Sequence, residues 1–155
     1  LHQIGFSAKG VVASYMLFSA VSALLAYPAG AFSDRLNPRI VYASGLLFFA
    51  FGYITLGTTE NHTLAVVAIV LYGVFPALTD GVGKAWIASL SPPEQRGKIQ
   101  GVYQSSMNFA ILGAGIWGGG LWSDNGTQWP LVIAGVGALI GSLVLLTIRP
   151  QRVQP

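Results

Sequence analysis

The sequence predicts an all-α fold, a polytopic transmembrane helix bundle of about five spans, and three observations carry that prediction. Of its 155 residues 53% are hydrophobic and only 8% are charged, where a soluble domain carries about 25% charged residues. The apolar residues come in long runs, each near the length of about 20 residues that a hydrocarbon core demands. The charged residues gather in short stretches between those runs, the clearest being Gly30 to Arg39, which holds Asp34, Arg35 and Arg39. A charge at the bilayer centre costs several kcal/mol or more, so such a stretch belongs in water or among headgroups, and the runs that flank it are spans. In water a chain of this size would have to cover itself with polar groups that it lacks.

The spans fall at roughly 10–31, 39–56, 64–90, 98–122 and 130–148, within a few residues at each end. The first follows a polar lead-in from His2 to Lys9 that is too rich in turn-formers to cross. Asn37 is placed to cap the second, with Pro38 at the first helical position, where its missing N–H does no harm. The third is longer and more polar. Ser91 with Glu94 three residues on matches a capping box and opens the fourth. The fifth begins near Pro130 and carries Gly137 and Gly141, a small-xxx-small spacing suited to close helix contact. The second and fifth are apolar nearly all round and are expected to face lipid.

Lysine and arginine alternate along the chain. Arg35 and Arg39 lie in the first turn, Arg96 and Lys98 in the third, Arg149 and Arg152 in the tail, while the turns with Glu60 and Asp124 hold none. The excess of basic residues in cytoplasmic loops places the Asp34 turn, the Arg96 turn and the C-terminus in the cytoplasm and the first residues outside, despite Lys9. The sequons Asn61-His62-Thr63 and Asn125-Gly126-Thr127 fall in the outside turns and read as chance matches. A net charge of +3 is spread singly and in pairs, which excludes a nucleic-acid groove. With no cysteine, thiolate metal sites, disulfides and cysteine nucleophiles are excluded. His2 and His62 are remote from any carboxylate cluster, so neither metal hydrolysis nor a serine-histidine dyad has material, and no metal or cofactor is expected. The chain opens on Leu1 without a signal peptide, and a piece of something longer is expected.

Polar groups inside the spans mark the candidate site. Asp80 and Lys84 lie within the third, about 16 and 10 Å from its Ser91 end by the helical rise. Gln100, Gln104 and Asn108 follow at four-residue steps on one face of the fourth, with Gln104 and Asn108 about 9 and 15 Å in. The depths match, so the two helices are expected to share a polar cavity near the midplane. Two readings of Asp80 and Lys84 stand side by side: a mutually neutralising pair that pins helices together, or an ionisable site on a substrate or ion pathway, with Asp80 the deeper and able to carry a proton. Gln100, Gln104 and Asn108 read first as hydrogen bonds between helices and only second as a site. Tyr72, Phe75, Trp86 and Tyr103 suit packing or interface anchoring better than ligand stacking. Gly73 and Pro76 weaken the third helix near Asp80, as a kink or as a break beside a binding site. Gly113 to Gly118 spells GxGxxG, but inside a span and with no strand before it, so close helix packing is the expectation there and at Gly119 and Gly120. Gly81-Val82-Gly83-Lys84 lacks the spacing of a phosphate loop.

Two stretches resemble a known family. Gly30-Ala31-Phe32-Ser33-Asp34-Arg35-Leu36-Asn37-Pro38-Arg39 is similar to the loop signature of the major facilitator superfamily, G-x-x-x-D-R-x-G-R-R, which follows the second helix of each six-helix half. Gly30, Asp34, Arg35 and Arg39 match, while Asn37 and Pro38 stand where Gly and Arg are usual, as suits the degenerate copy of the C-terminal half. Leu90-Ser91-Pro92-Pro93-Glu94-Gln95-Arg96-Gly97-Lys98-Ile99-Gln100-Gly101 resembles the pattern that opens the eleventh helix of many bacterial members, and the Gly-rich run with Leu121-Trp122-Ser123-Asp124 fits after it.

The resemblance implies that the chain is a C-terminal-half fragment, helices eight to twelve of a twelve-helix transporter, whose partner would be the N-terminal half. The eighth, tenth and eleventh helices would line the cavity, in accord with Ser14, Tyr15, Ser19 and Ser22 on the first span, and the ninth and twelfth would be peripheral. It gives Gly30, Asp34, Arg35 and Arg39, with Glu94 and Arg96 of the second motif, a gating role. Asp34 would latch onto the free N–H groups at Pro92 to Gly97, where the positive helix end attracts an anion. The expected function is secondary transport of a small solute by alternating access, coupled to protons, for uptake or efflux, in a bacterial inner membrane. A non-transporting membrane subunit or scaffold is the competing class, and a membrane-embedded enzyme ranks below it because no catalytic cluster is present.

Overall fold

A computed structural model describes residues 7–125 and 129–147, apart from the side chains of residues 8 and 122–125. Five helices follow one another: α1 (Ala8–Arg35), α2 (Pro38–Thr58), α3 (His62–Ser89), α4 (Arg96–Asn125) and α5 (Trp129–Thr147), with one 3-10 turn at Pro93–Gln95 before α4. Among the described residues there is no strand. All five are long enough to cross a membrane, and α1, α2, α3 and α5 are also apolar enough. The amides, serines and glycines of α4 leave it short of that standard. The basic tail, Arg149 and Arg152, lies outside the described residues.

Local chemistry sets the boundaries. Asn37 caps α2, its Oδ1 accepting the N–H of Arg39 at 3.0 Å, and Pro38 is the first helical residue, as expected. Asn61 caps α3 by accepting from Thr63 and Leu64 at 2.9 and 3.4 Å, so its side chain serves the helix start. The side chains of Asp124 and of Asn125 in its sequon are outside what the structure describes. Helix α1 runs four residues past its expected end, through Pro28 and up to Arg35. No Gly or Pro interrupts Ala31 to Arg35, and a cation suits the last turn. The charged stretch is therefore mostly helical, with only Leu36 and Asn37 between α1 and α2. The capping box at Ser91 does not form. Ser91 is buried, and its hydroxyl turns back to donate to Ile87 O at 2.6 Å, closing α3. Pro92 and Pro93 force an extended residue and a 3-10 turn before α4 can begin, and Glu94 is left exposed on that turn.

The helices pack in a row, with α2 between α5 and α3 and α3 between α2 and α1, while α4 touches α3 and α5 only lightly. Small residues set the close contacts. A Cβ at Gly45 would stand 2.7 Å from Thr79 Cγ2, and one at Gly52 3.0 Å from Ala68 O, so α2 and α3 meet backbone to backbone. Gly73 does the same for α3 and α1, facing Phe18 O at 3.0 Å. In α5 the contact residues are Gly135, whose Cβ would lie 2.7 Å from Ile54 Cγ1, and Ser142, fully buried, whose Oγ donates to Ala43 O at 3.0 Å. The expected pair fails here. Among the described residues Gly137 has nothing within 4 Å and Gly141 only Leu46 Cδ1 at 3.9 Å, because two positions along a helix turn a residue nearly to the opposite side. Helix α2 packs on two sides through its small residues Ala43, Gly45, Ala50 and Gly52, and its Ile40, Phe48 and Phe51 stay exposed.

An aromatic cluster fills the space between α1, α2 and α3. Phe49 stacks on Tyr53 at 4.1 Å between ring centres and meets Phe75 edge-on at 4.8 Å, while Phe18 stacks on Tyr72 at 4.8 Å. Offset and edge-on pairs of this kind add about 0.5–1.5 kcal/mol each beyond their buried area. Tyr72 and Phe75 are thus packing residues.

Candidate functional site: an acidic cleft between the first and third helices

Two carboxylates that are 46 positions apart in the sequence line one cleft of about 380 Å³ between α1 and α3. From α1 come Ser22, Gly30, Ser33 and Asp34, and from α3 come Pro76, Asp80 and Gly81. Ser22, Gly30, Ser33 and Asp34 recur at spacings of three, four and eight residues, which keeps them along one side of α1. Docking of α1 at Gly73 brings that side against α3. Neither Gly30 nor Gly81 has anything within 4 Å of where a Cβ would sit, so both are glycines of an open wall rather than of a tight contact.

Asp34 occupies the last turn of α1, where unpaired carbonyls make the helix end negative. A carboxylate is disfavoured there, and Arg35 beside it is the residue that the helix end prefers. Asp80 lies about 14 Å from the Ser89 end of α3 by the helical rise and is exposed to the cleft. Pro76, one turn earlier, gives no N–H to the carbonyl of Tyr72 and leaves that acceptor free of its usual donor.

The remaining candidates lie elsewhere. Among the described residues no ion pair joins Asp80 to Lys84, although the two are four apart. Lys84 is exposed, and its backbone carbonyl accepts from Gln100 Nε2 at 2.6 Å, the polar tie between α3 and α4. Gln104 and Asn108 are exposed on α4 and approach each other at 3.5 Å, and neither lines the acidic cleft. Arg39 reaches across the bundle: its Nη2 donates to Leu146 O in the last turn of α5 at 2.8 Å, while its buried Nε and Nη1 have no partner among the described residues. A guanidinium at a helix C-terminus meets the negative end of the dipole, so Arg39 ties the start of α2 to the end of α5. Sequence reasoning missed this tie, and no local signal announces it, because donor and acceptor are 107 positions apart. Arg35, Glu94 and Arg96 are exposed at that same end of the bundle.

Long apolar helices with a few polar side chains on their inner walls define an integral, multi-pass membrane protein. Its family is equally clear: the chain belongs to the Major Facilitator Superfamily, whose model matches residues 1–155. It is 32% identical over 134 residues to the vesicular acetylcholine transporter of Torpedo marmorata, covering 84% of this chain and 26% of that one. Over 139 residues it is 27% identical to an uncharacterised major-facilitator-type transporter of Methanocaldococcus jannaschii, covering 88% of this chain and 34% of the other. Against the multidrug transporter protein MdtP of Bacillus subtilis it is 30% identical over 105 residues, 67% of this chain and 19% of that one. The chain thus spans between 19% and 34% of the length of these relatives.

Proposed function

We propose that the chain is the C-terminal part, helices eight to twelve, of a secondary transporter that moves a small solute across a bacterial plasma membrane by alternating access. Protons drive the movement, Asp80 carries the proton or meets the solute, and the N-terminal half of the same protein completes the cavity. The protein carries out no covalent chemistry. The observation that carries this reading is the meeting of Asp34 and Asp80 in one cleft. Ionisable groups within a membrane mark transport pathways, and a carboxylate kept at the unfavourable end of α1 has no stabilising reason to be there. Gly30, Asp34, Arg35, Arg39, Glu94 and Arg96 sit at one end of the bundle and form the gate. The excess of basic residues at that end supports a cytoplasmic position for it.

Solute flux in proteoliposomes holding the full-length protein tests the proposal. Asp34→Asn is expected to slow flux more than it lowers folded yield, and Asp80→Asn to flatten the dependence of flux on pH. Flux and pH profile unchanged by both substitutions would remove the carboxylates from the mechanism.

A further inference from the structure

Helix α3 carries a second cleft on a different side. Gly83, Trp86, Ile87 and Leu90 recur at the spacing of one helical stripe, turned away from the stripe of Ala77, Gly81 and Ala85 that faces the acids. Two adjoining cavities of about 210 and 500 Å³ lie against it and share Ile87, Leu90 and Tyr103. Gly83 lets two tyrosines of the inner one close on α3: a Cβ there would stand 2.9 Å from Tyr42 Cε2 and 3.0 Å from Tyr103 Oη. Ile99 and Val102 of α4 wall the outer one, and besides the Tyr103 hydroxyl its polar lining comes from Ser91, Gln95 and Lys98. The Ser91 hydroxyl is already committed to Ile87 O. Lys98 is exposed at the rim, and among the described residues it has no ion pair. Glu94 does not line the groove.

Depth and chemistry together name the occupant. The groove lies along the last turns of α3 and the first two turns of α4, the level at which a bilayer passes from acyl chains to headgroups. Its floor is apolar, its aromatics Tyr42, Trp86 and Tyr103 are of the kind that settle at that level, and one ammonium stands at its mouth. We propose that this groove seats an anionic phospholipid, with an acyl chain along Ile87, Leu90, Ile99 and Val102 and the phosphate on the Lys98 ammonium. Water does not fill an apolar groove that acyl chains reach, and a lone cation at the rim favours a net negative headgroup over a zwitterionic one. The proposal rests on the membrane embedding of the chain and not on its transport.

The test is lipid retention. The full-length protein is released from bilayers of equal parts phosphatidylglycerol and phosphatidylcholine, and bound lipid is read by native mass spectrometry. Wild type is expected to retain phosphatidylglycerol about fivefold over phosphatidylcholine, the ratio that one lysine near an anionic surface supports. Lys98→Gln should bring the ratio to parity, Lys98→Arg should preserve it, Val102→Trp should lower retention of both lipids, and Lys9→Gln at the opposite end of α1 should change nothing. An unchanged ratio in Lys98→Gln overturns the proposal, as does a wild type that retains no lipid, which would mean that another segment of the longer protein covers the groove. If a variant fails to fold, quenching by dibrominated lipids decides on the wild type, read as the difference from Trp86→Phe. Stronger quenching of Trp86 by the brominated phosphatidylglycerol supports the seat, and equal quenching by the two lipids removes it.

Discussion

Glycine does opposite things on the two sides of this bundle. Along α2 and α5, Gly45, Gly52 and Gly135 let backbones approach until an added Cβ would stand 2.7–3.0 Å from its neighbour. Along α4, an added Cβ at Gly113, Gly115, Gly118, Gly119 or Gly120 would meet nothing within 4 Å among the described residues. The residue type is the same, and the difference lies in what stands opposite. Without a hydrophobic force between helices in lipid, association depends on close packing and on bonds between helices. The α2 seam has both, whereas α4 holds to α3 mainly through Gln100 and the tyrosine contact at Gly83. The expectation that packing explains the glycines of α4 is therefore not met within this chain.

Substitutions on each side sharpen the contrast. Gly52→Val drives a branched side chain into Ala68 O and Tyr72, and overpacking of this kind costs about 3 kcal/mol. The thermal midpoint in detergent and the yield of monodisperse protein should both fall sharply. Arg39→Gln should cost about 1.5 kcal/mol, the scale of a hydrogen bond from a charged donor, read in the same melting experiment. Ser142→Ala removes the bond to Ala43 O and should cost about 0.6 kcal/mol, the average for bonds between membrane helices. Gly115→Ala should be neutral or raise stability by up to about 1 kcal/mol through helix propensity alone. A clear loss at Gly115 in the full-length protein would show that a further segment packs on α4 there.

Legibility followed the range of the interaction. The starts of helices were readable where a cap lies within three residues, as at Asn37 with Pro38. The same reasoning failed at Ser91, since a Ser with Glu94 three residues on opens a helix only if the backbone between them can turn, and two prolines prevent it. Gly137 and Gly141 had the spacing for contact, but which stripe of α5 meets α2 depends on shape complementarity with Ile54 and Ala50, and that is not written in α5. Asp34 and Asp80 were each identifiable as charges in an apolar chain. Their meeting was not, because it follows from the docking of α1 on α3 at Gly73, two elements that are not neighbours in the sequence. The expected pairing of the polar stripes of α3 and α4 rested on equal depth, and depth leaves rotation about the helix axis undetermined.

The tie from Arg39 to Leu146 and the bond from Ser142 to Ala43 join positions 107 and 99 residues apart. A nascent chain entering the bilayer from its N-terminus holds the guanidinium and the Ala43 carbonyl long before their partners exist. Until α5 is inserted, that flank of α2 lacks its partner, and the order of synthesis closes it only after α2, α3 and α4 have entered the bilayer. A stalled or truncated product lacking α5 would carry an open seam of small residues along α2.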